Sequence, residues 1–248
     1  MCCSIVMINF IGCRNYKKEN REALEYLNNK YGKEFELEKG RFESVYGDEF
    51  YQSPQKETKA WPKDSSNDVF NIEFDSEGNF YDDYQSITMK PNIEEYLQNL
   101  AKEYWSDANI SVEIVNGVIR EKYDEDSCEE YLADKNVSIY YYIYLHYEKS
   151  FDVEKETRKV YEICKRMREN NFHGITLVGY INEKSFDNYS EKESGDFWAK
   201  CKKEGKIARS YRQPFYLFNS EKDNLLTIDN IRKELEKDKL VEKGETDE

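Results

Sequence analysis

Apolar residues recur along this chain with the two periods that separate helices from strands. Over residues 19–31, Ala23, Leu24, Leu27 and Tyr31 share one helical face, and Gly32 follows as a C-terminal cap. Residues 34–38 alternate as a strand, an excursion rich in Gly, Ser and Gln covers 40–56, and further strands fall near 58–61 and 69–75. Ser76-Glu77-Gly78-Asn79 reads as a turn. Pro91 opens a helix to about 104, with Ile93, Tyr96, Leu97 and Leu100 on one side, and Ile110, Val112 and Ile114 alternate in the next strand. After Asn116-Gly117 and a polar stretch over 120–126 comes a short helix over 128–134, which Ser127 and Glu130 would open as a capping box. The strongest strand, 137–147, is followed by a helix over 153–169 with Val160, Ile163, Cys164 and Met167 inward, and then by a strand over 175–181. Those three elements form a β-α-β unit, which implies a parallel pair with a right-handed crossover. A basic segment, a strand near 211–218, a helix over 228–237 and a charged tail complete the chain.

The pattern predicts an α+β fold: mixed sheet or sheets with helices packed on one face, and room for two similar-sized α+β halves. The expected organisation is a signal-like segment over 1–12, a tether over 13–18, one half over 19–118, a second half with the β-α-β unit over 119–240, and a charged tail over 241–248.

Residues 1–13 stand apart, because they are uncharged and mostly apolar while everything after them is polar and acidic. A short apolar run closed by small residues has the form of a secretory signal. Its end, Phe10-Ile11-Gly12-Cys13, resembles the lipobox of bacterial lipoproteins of the Firmicutes kind, in which the cysteine carries the lipid. The resemblance covers four residues and implies an address: lipid attachment at Cys13 and a place on the outer face of the cell membrane, with the membrane as partner through the anchor.

Composition narrows the function. The 248 residues hold 37 basic and 51 acidic side chains, a formal charge of −14. Such a chain lacks the basic face that nucleic acid requires, so no nucleic-acid partner is expected. With 21 Tyr, 13 Phe and 3 Trp, it still has large side chains enough to build a core. Cys2 and Cys3 fall in the apolar run and Cys13 is the lipid site, which leaves Cys128, Cys164 and Cys201. Three cysteines cannot all pair within a chain, no C-x-x-C spacing points to zinc, and Cys164 reads as a buried thiol.

Motifs for nucleotide binding, nucleophilic hydrolysis and zinc proteolysis are missing from the sequence, so no catalytic residue, cofactor or metal site is assigned. His146 and His173 read as surface or hydrogen-bonded residues. Two stretches are candidate binding surfaces. Alternation in the strand over 137–147 puts Tyr140, Tyr142, Tyr144 and His146 on one face, offering stacking area and hydroxyls to a glycan or protein partner. Lys200, Lys202, Lys203, Lys206, Arg209 and Arg212, interleaved with Phe197, Trp198 and Tyr211, form a candidate anion patch. The expected function is a noncatalytic binding or interaction module held outside the cell by lipid. The alternative is a cytosolic acidic immunity-type protein that neutralises a toxin, and the third reading is a cell-surface hydrolase.

Overall fold

The computed structural model describes residues 6–39, 42–45, 55–120, 122–124, 126–147, 151–181, 194–204, 206–215 and 226–237. The fold is α+β, with one five-stranded and one four-stranded sheet. Contacts divide the chain into two compact units, Met1–Thr88 with Gly117–Tyr123, and Met89–Asn116 with Asp124–Glu248. The expected boundary between residues 118 and 119 is thus corrected. The helix and strand over 90–116 belong with the second unit because that strand pairs with a strand over 138–146, and pairing at long range outweighs position along the chain.

The first unit begins with α1 (Val6–Tyr31), so the helix expected from residue 19 starts well before it. The backbone expected to be a tether over 13–18 is helical. Arg14, Lys17 and Lys18 are good helix formers, and Lys18–Glu22, followed by Arg21–Glu25, sits at i, i+4 spacing, 3.4 and 3.6 Å apart. Gly32 ends the helix as expected, at φ +69°, with its amide on Asn28 O. The strands β1 (Phe35–Leu37), β2 (Glu43–Val45), β3 (Gln55–Pro62), β4 (Phe70–Phe74) and β5 (Phe80–Asp82) form an antiparallel sheet in which β1 and β2 share one edge of β3. A short helix, α2 (Tyr84–Thr88), follows. Ala23 and Leu27 of α1 are fully buried with Phe35, Ala60, Phe70, Ile72 and Tyr84. Edge-to-face rings tighten this core, with Phe35 5.6 Å from Phe70 and 5.3 Å from Tyr84.

An ionic node fastens the returning segment 117–123 into the same unit. Asp82 is fully buried, and Lys30 Nζ lies 2.7 Å from its Oδ2. Tyr26 OH and Tyr31 OH donate to the same carboxylate at 2.9 and 2.6 Å, and Tyr84 N at 3.1 Å. Lys30 also donates to Ile119 O at 3.0 Å, and Asp82 and Ile119 exchange backbone hydrogen bonds. Gln85 adds a two-way clasp on Tyr123, through its side-chain amide to Tyr123 O and Tyr123 N to its oxygen.

The second unit holds α3 (Lys90–Lys102), β6 (Asn109–Asn116), α4 (Cys128–Leu132), β7 (Ser138–His146), α5 (Val153–Glu169), β8 (Gly174–Ile181), α6 (Ser194–Lys203), β9 (Ile207–Phe215) and α7 (Ile228–Leu235). The sheet order is β6-β7-β8-β9. Only β7 and β8 run parallel, joined by α5 as the β-α-β pattern requires. Gln98 and Glu94 of α3 accept from Ile110 N and Val112 N, which occupies outward-facing amides of the edge strand β6. One face of β7 and β8 (Ile139, Tyr141, Ile143, Thr176, Val178) is buried, as are Val160, Ile163, Cys164 and Met167 of α5. Asn171, at φ +57°, closes α5, with Phe172 N on Met167 O and Asn171 N on Arg168 O. Gly174 then begins β8 at φ +140°, where a Cβ would stand 1.8 Å from Ile139 O. Only glycine fits that approach. At α4 the expected capping box does not form, since the Ser127 side chain makes no cap hydrogen bond.

Candidate functional site

The two surfaces expected from sequence do not assemble as open sites. Alternation in β7 is as expected, but Tyr142 and Tyr144 are buried beneath α6 together with Ile181, Ile207 and Cys201. Tyr144 meets the Phe197 ring edge-on at 5.1 Å, stacks at 6.0 Å on Tyr142, and Tyr142 OH donates to Glu113 at 2.9 Å. Tyr140 is half-buried and His146 exposed. The tyrosine row is therefore a packing layer, because α6 supplies a cover that the basic composition of its sequence concealed.

The basic run is dispersed as well. Lys200 and Lys203 are exposed on α6, and Lys206 pairs with Glu204 at 2.9 Å. The Lys202 and Trp198 side chains lie outside the described residues. Arg209 and Arg212 are three residues apart on β9, so they point to opposite faces of the sheet. The Arg209 guanidinium stacks 4.9 Å over Phe151 and donates to Leu235 O, closing the last turn of α7. Cys128, Cys164 and Cys201 are buried free thiols, as expected for Cys164, whose thiol is pushed far up by burial. Cys13 falls on α1 and its side chain lies outside the described residues, as do Cys2, Cys3 and the tail over 241–248. His173 is half-buried, and burial lowers its pKa.

What the second unit does offer is a cleft of about 230 Å³ at the carboxyl ends of the parallel strands, where α/β architectures place their ligands. Four elements build it. Trp105 and Asp107 come from the connection after α3, Leu145 and His146 from the end of β7, Phe151 to Lys159 from the start of α5, and Tyr180 from β8. Asp152 caps α5 by accepting from Lys155 N at 3.1 Å. That cap fixes the first turn, and the helical repeat then brings Lys155, Glu156 and Lys159 round to the cleft.

Glu156 is the fixed point of this site. Its Oε2 accepts from the Trp105 indole at 2.6 Å and from Tyr180 OH at 3.0 Å, while Lys159 Nζ stands 2.8 Å from Oε1. The Lys159 ammonium also lies 5.7 Å from the Trp105 ring centre. Burial and then the Glu156 charge drive the Tyr180 phenol well above its ordinary pKa, so it stays a donor. Phe151 stands edge-on to Tyr180 at 4.7 Å and packs on Tyr147 at 5.4 Å, giving the cleft an aromatic wall. In contrast, His146, Lys155 and Asp107 line the opening with no side-chain ion pair or hydrogen bond among the described residues. A half-buried, fully engaged carboxylate beneath polar groups with no side-chain partner among the described residues is suited to holding a ligand in one orientation.

Sequence reasoning missed this site. His146 was named, but with the tyrosine row. The capped start of α5 after a parallel strand was the available signal, whereas nothing local links Trp105 to Glu156.

Among the described residues no group of three or more His, Cys, Asp or Glu side chains is placed to hold a metal, and no helix is long and apolar enough to cross a membrane. No protein-family model matches the chain. No curated protein matches it either. Among solved structures, it is similar to a DUF5037 family protein from Ruminococcus gnavus, at 14% identity and a TM-score of 0.35 over 86% of this chain and 98% of that one.

Proposed function

We propose that this chain is a noncatalytic binding protein whose ligand site is the cleft at the start of α5, and that a lipid on Cys13 carries it on the outer face of the cell membrane. The observation that supports the binding reading is the state of Glu156. Three donors, one of them a cation, hold its carboxylate, so its lone pairs serve the architecture of the site, while the side chains of His146, Lys155 and Asp107 at the opening have no partner among the described residues. The anchor reading rests on Phe10-Ile11-Gly12-Cys13 alone.

Both halves are tested separately. A ligand found by its rise in melting temperature should lose that effect in Lys155→Ala and keep it in Lys200→Ala, which changes an exposed residue on α6. An effect that survives every cleft variant, or consumption of the ligand with release of a product, defeats the binding reading. For the anchor, wild-type protein expressed in a Gram-positive host should carry a diacylglyceryl mass on Cys13 and sediment with membranes. Cys13→Ala should do neither, and unchanged partitioning of that variant defeats the anchor while leaving the cleft untouched.

A further inference from the structure

We propose that the cleft takes a small zwitterion, with an ammonium and a carboxylate in one molecule the size of a free amino acid. This rests on the binding reading above and names its ligand class. The argument is electrostatic. Of the two ammoniums in the cleft, Lys159 is already neutralised by Glu156 at 2.8 Å, whereas Lys155 has no ion pair among the described residues. A carboxylate beside Lys155 also meets the first turn of α5, where the helix dipole favours negative charge. Asp107, from a different element, brings a carboxylate with no partner among the described residues, and Asp152 adds a second acid at the cap.

Each simpler ligand leaves part of this arrangement unmet. An anion alone would face Asp107 and Asp152, and a cation alone would face Lys155 and the positive end of α5. A neutral sugar would cover both charges without neutralising either, which costs their hydration. A zwitterion answers the cation and the acid together, and half-buried Phe151, beside the almost fully buried Trp105 and Leu145, leaves a small apolar wall for its side chain. At about 230 Å³ the cleft is smaller than the roughly 300–1,000 Å³ of sites for drug-sized ligands, so the molecule is a small one.

The test titrates full-length protein with L-leucine, L-phenylalanine, L-lysine and glycine, and separately with acetate, ethylammonium and glucose, following the Trp105 indole N–H resonance and the heat of binding. At least one amino acid should shift the resonance and bind tenfold or more tighter than acetate or ethylammonium, a gap of about 1.4 kcal/mol. Lys155→Ala and Asp107→Asn, both at exposed positions, should each weaken that binding about tenfold with the melting temperature unchanged. If acetate binds as tightly as every amino acid and Asp107→Asn has no effect, the cleft is an anion site. If glucose alone binds, it is a sugar site. Either result overturns the zwitterion and keeps the binding reading. Silence from all seven probes also overturns the zwitterion, and the melting screen above then decides the binding reading alone.

Discussion

Replacing Lys30 with methionine would leave the fully buried Asp82 carboxylate without its cation, while keeping the length and apolar bulk of the side chain. Breaking a buried pair from one side typically costs about 3–5 kcal/mol, because the remaining charge is both desolvated and uncompensated. Here Tyr26, Tyr31 and the Tyr84 amide still donate to Asp82, and Ile119 O keeps the Asp82 amide, so the loss should fall near the lower end, about 3 kcal/mol. The second variant decides the mechanism. Asp82→Asn alone strands the Lys30 ammonium, whose side chain is 6% exposed, yet in the double variant Lys30→Met/Asp82→Asn no full charge remains buried at the node. The double variant should therefore lose clearly less than the two single losses added together, with a coupling of roughly 1–3 kcal/mol. Because the chain forms two compact units, unfolding is best followed by urea titration of amides in β4 and β5 rather than by a whole-chain signal. A cost below about 1 kcal/mol for Lys30→Met, or additive losses in the double variant, would refute the claim that this pair fastens the segment 117–123.

Two further outcomes follow from other positions. Gly174→Ala should destabilise the second unit by more than the roughly 1–3 kcal/mol of backbone strain alone, since the added Cβ would stand 1.8 Å from Ile139 O, and an unchanged urea midpoint for β7 amides would contradict that geometry. Glu73 has its pKa raised by burial and then by Glu57 and Asp83, so the folded state holds its proton more tightly than the unfolded chain and loses stability as pH rises above the ordinary value of 4.5. Glu73→Gln should consequently stabilise the fold more at pH 7 than at pH 4, and a pH-independent effect on stability would show that the fold does not raise this pKa.

Much of the fold was legible where amphipathic periodicity is strong. The inner face of α5 and the β7-α5-β8 crossover stand where the spacing of Val160, Ile163, Cys164 and Met167 places them. The misses have physical causes. In α6 the basic side chains masked a helix whose Phe197 and Cys201 turn onto the tyrosine layer, so a face that alternation identified correctly could not be known to be covered. The strand β5 is three residues long, too short for any period to show. The boundary was misplaced because Asn116-Gly117 looks like a linker locally, while β6 is committed to β7 through seven paired residues by pairing that no local pattern encodes. The cleft failed to show for the same reason, since Trp105 and Glu156 are 51 positions apart.

The tyrosine content, which from composition could have signalled a recognition surface, has a structural account. With 51 acidic against 37 basic residues, the chain has more carboxylates than cations to pair with them. A phenol is a neutral donor on a large apolar ring, so it can enter a core and still hydrogen-bond a carboxylate there. The chain does this at the buried Asp82 with Tyr26 and Tyr31 and at the half-buried Glu156 with Tyr180, and phenols also reach less enclosed acids, Tyr81 on Asp75 at 3.2 Å, Tyr142 on Glu113 and Tyr96 on the exposed Glu129 at 2.6 Å. Hydrogen bonds to charged groups contribute about 1.5–3 kcal/mol where water is excluded, comparable to one buried aliphatic side chain. Tyr96 and Tyr180 also keep their protons, since burial and then a carboxylate neighbour raise their pKa values. Tyrosine thus supplements the lysine at the two most enclosed of these carboxylates, Lys30 at Asp82 and Lys159 at Glu156, and in the cleft Tyr180 and the Trp105 indole join Lys159 on Glu156 while Lys155 has no ion pair among the described residues.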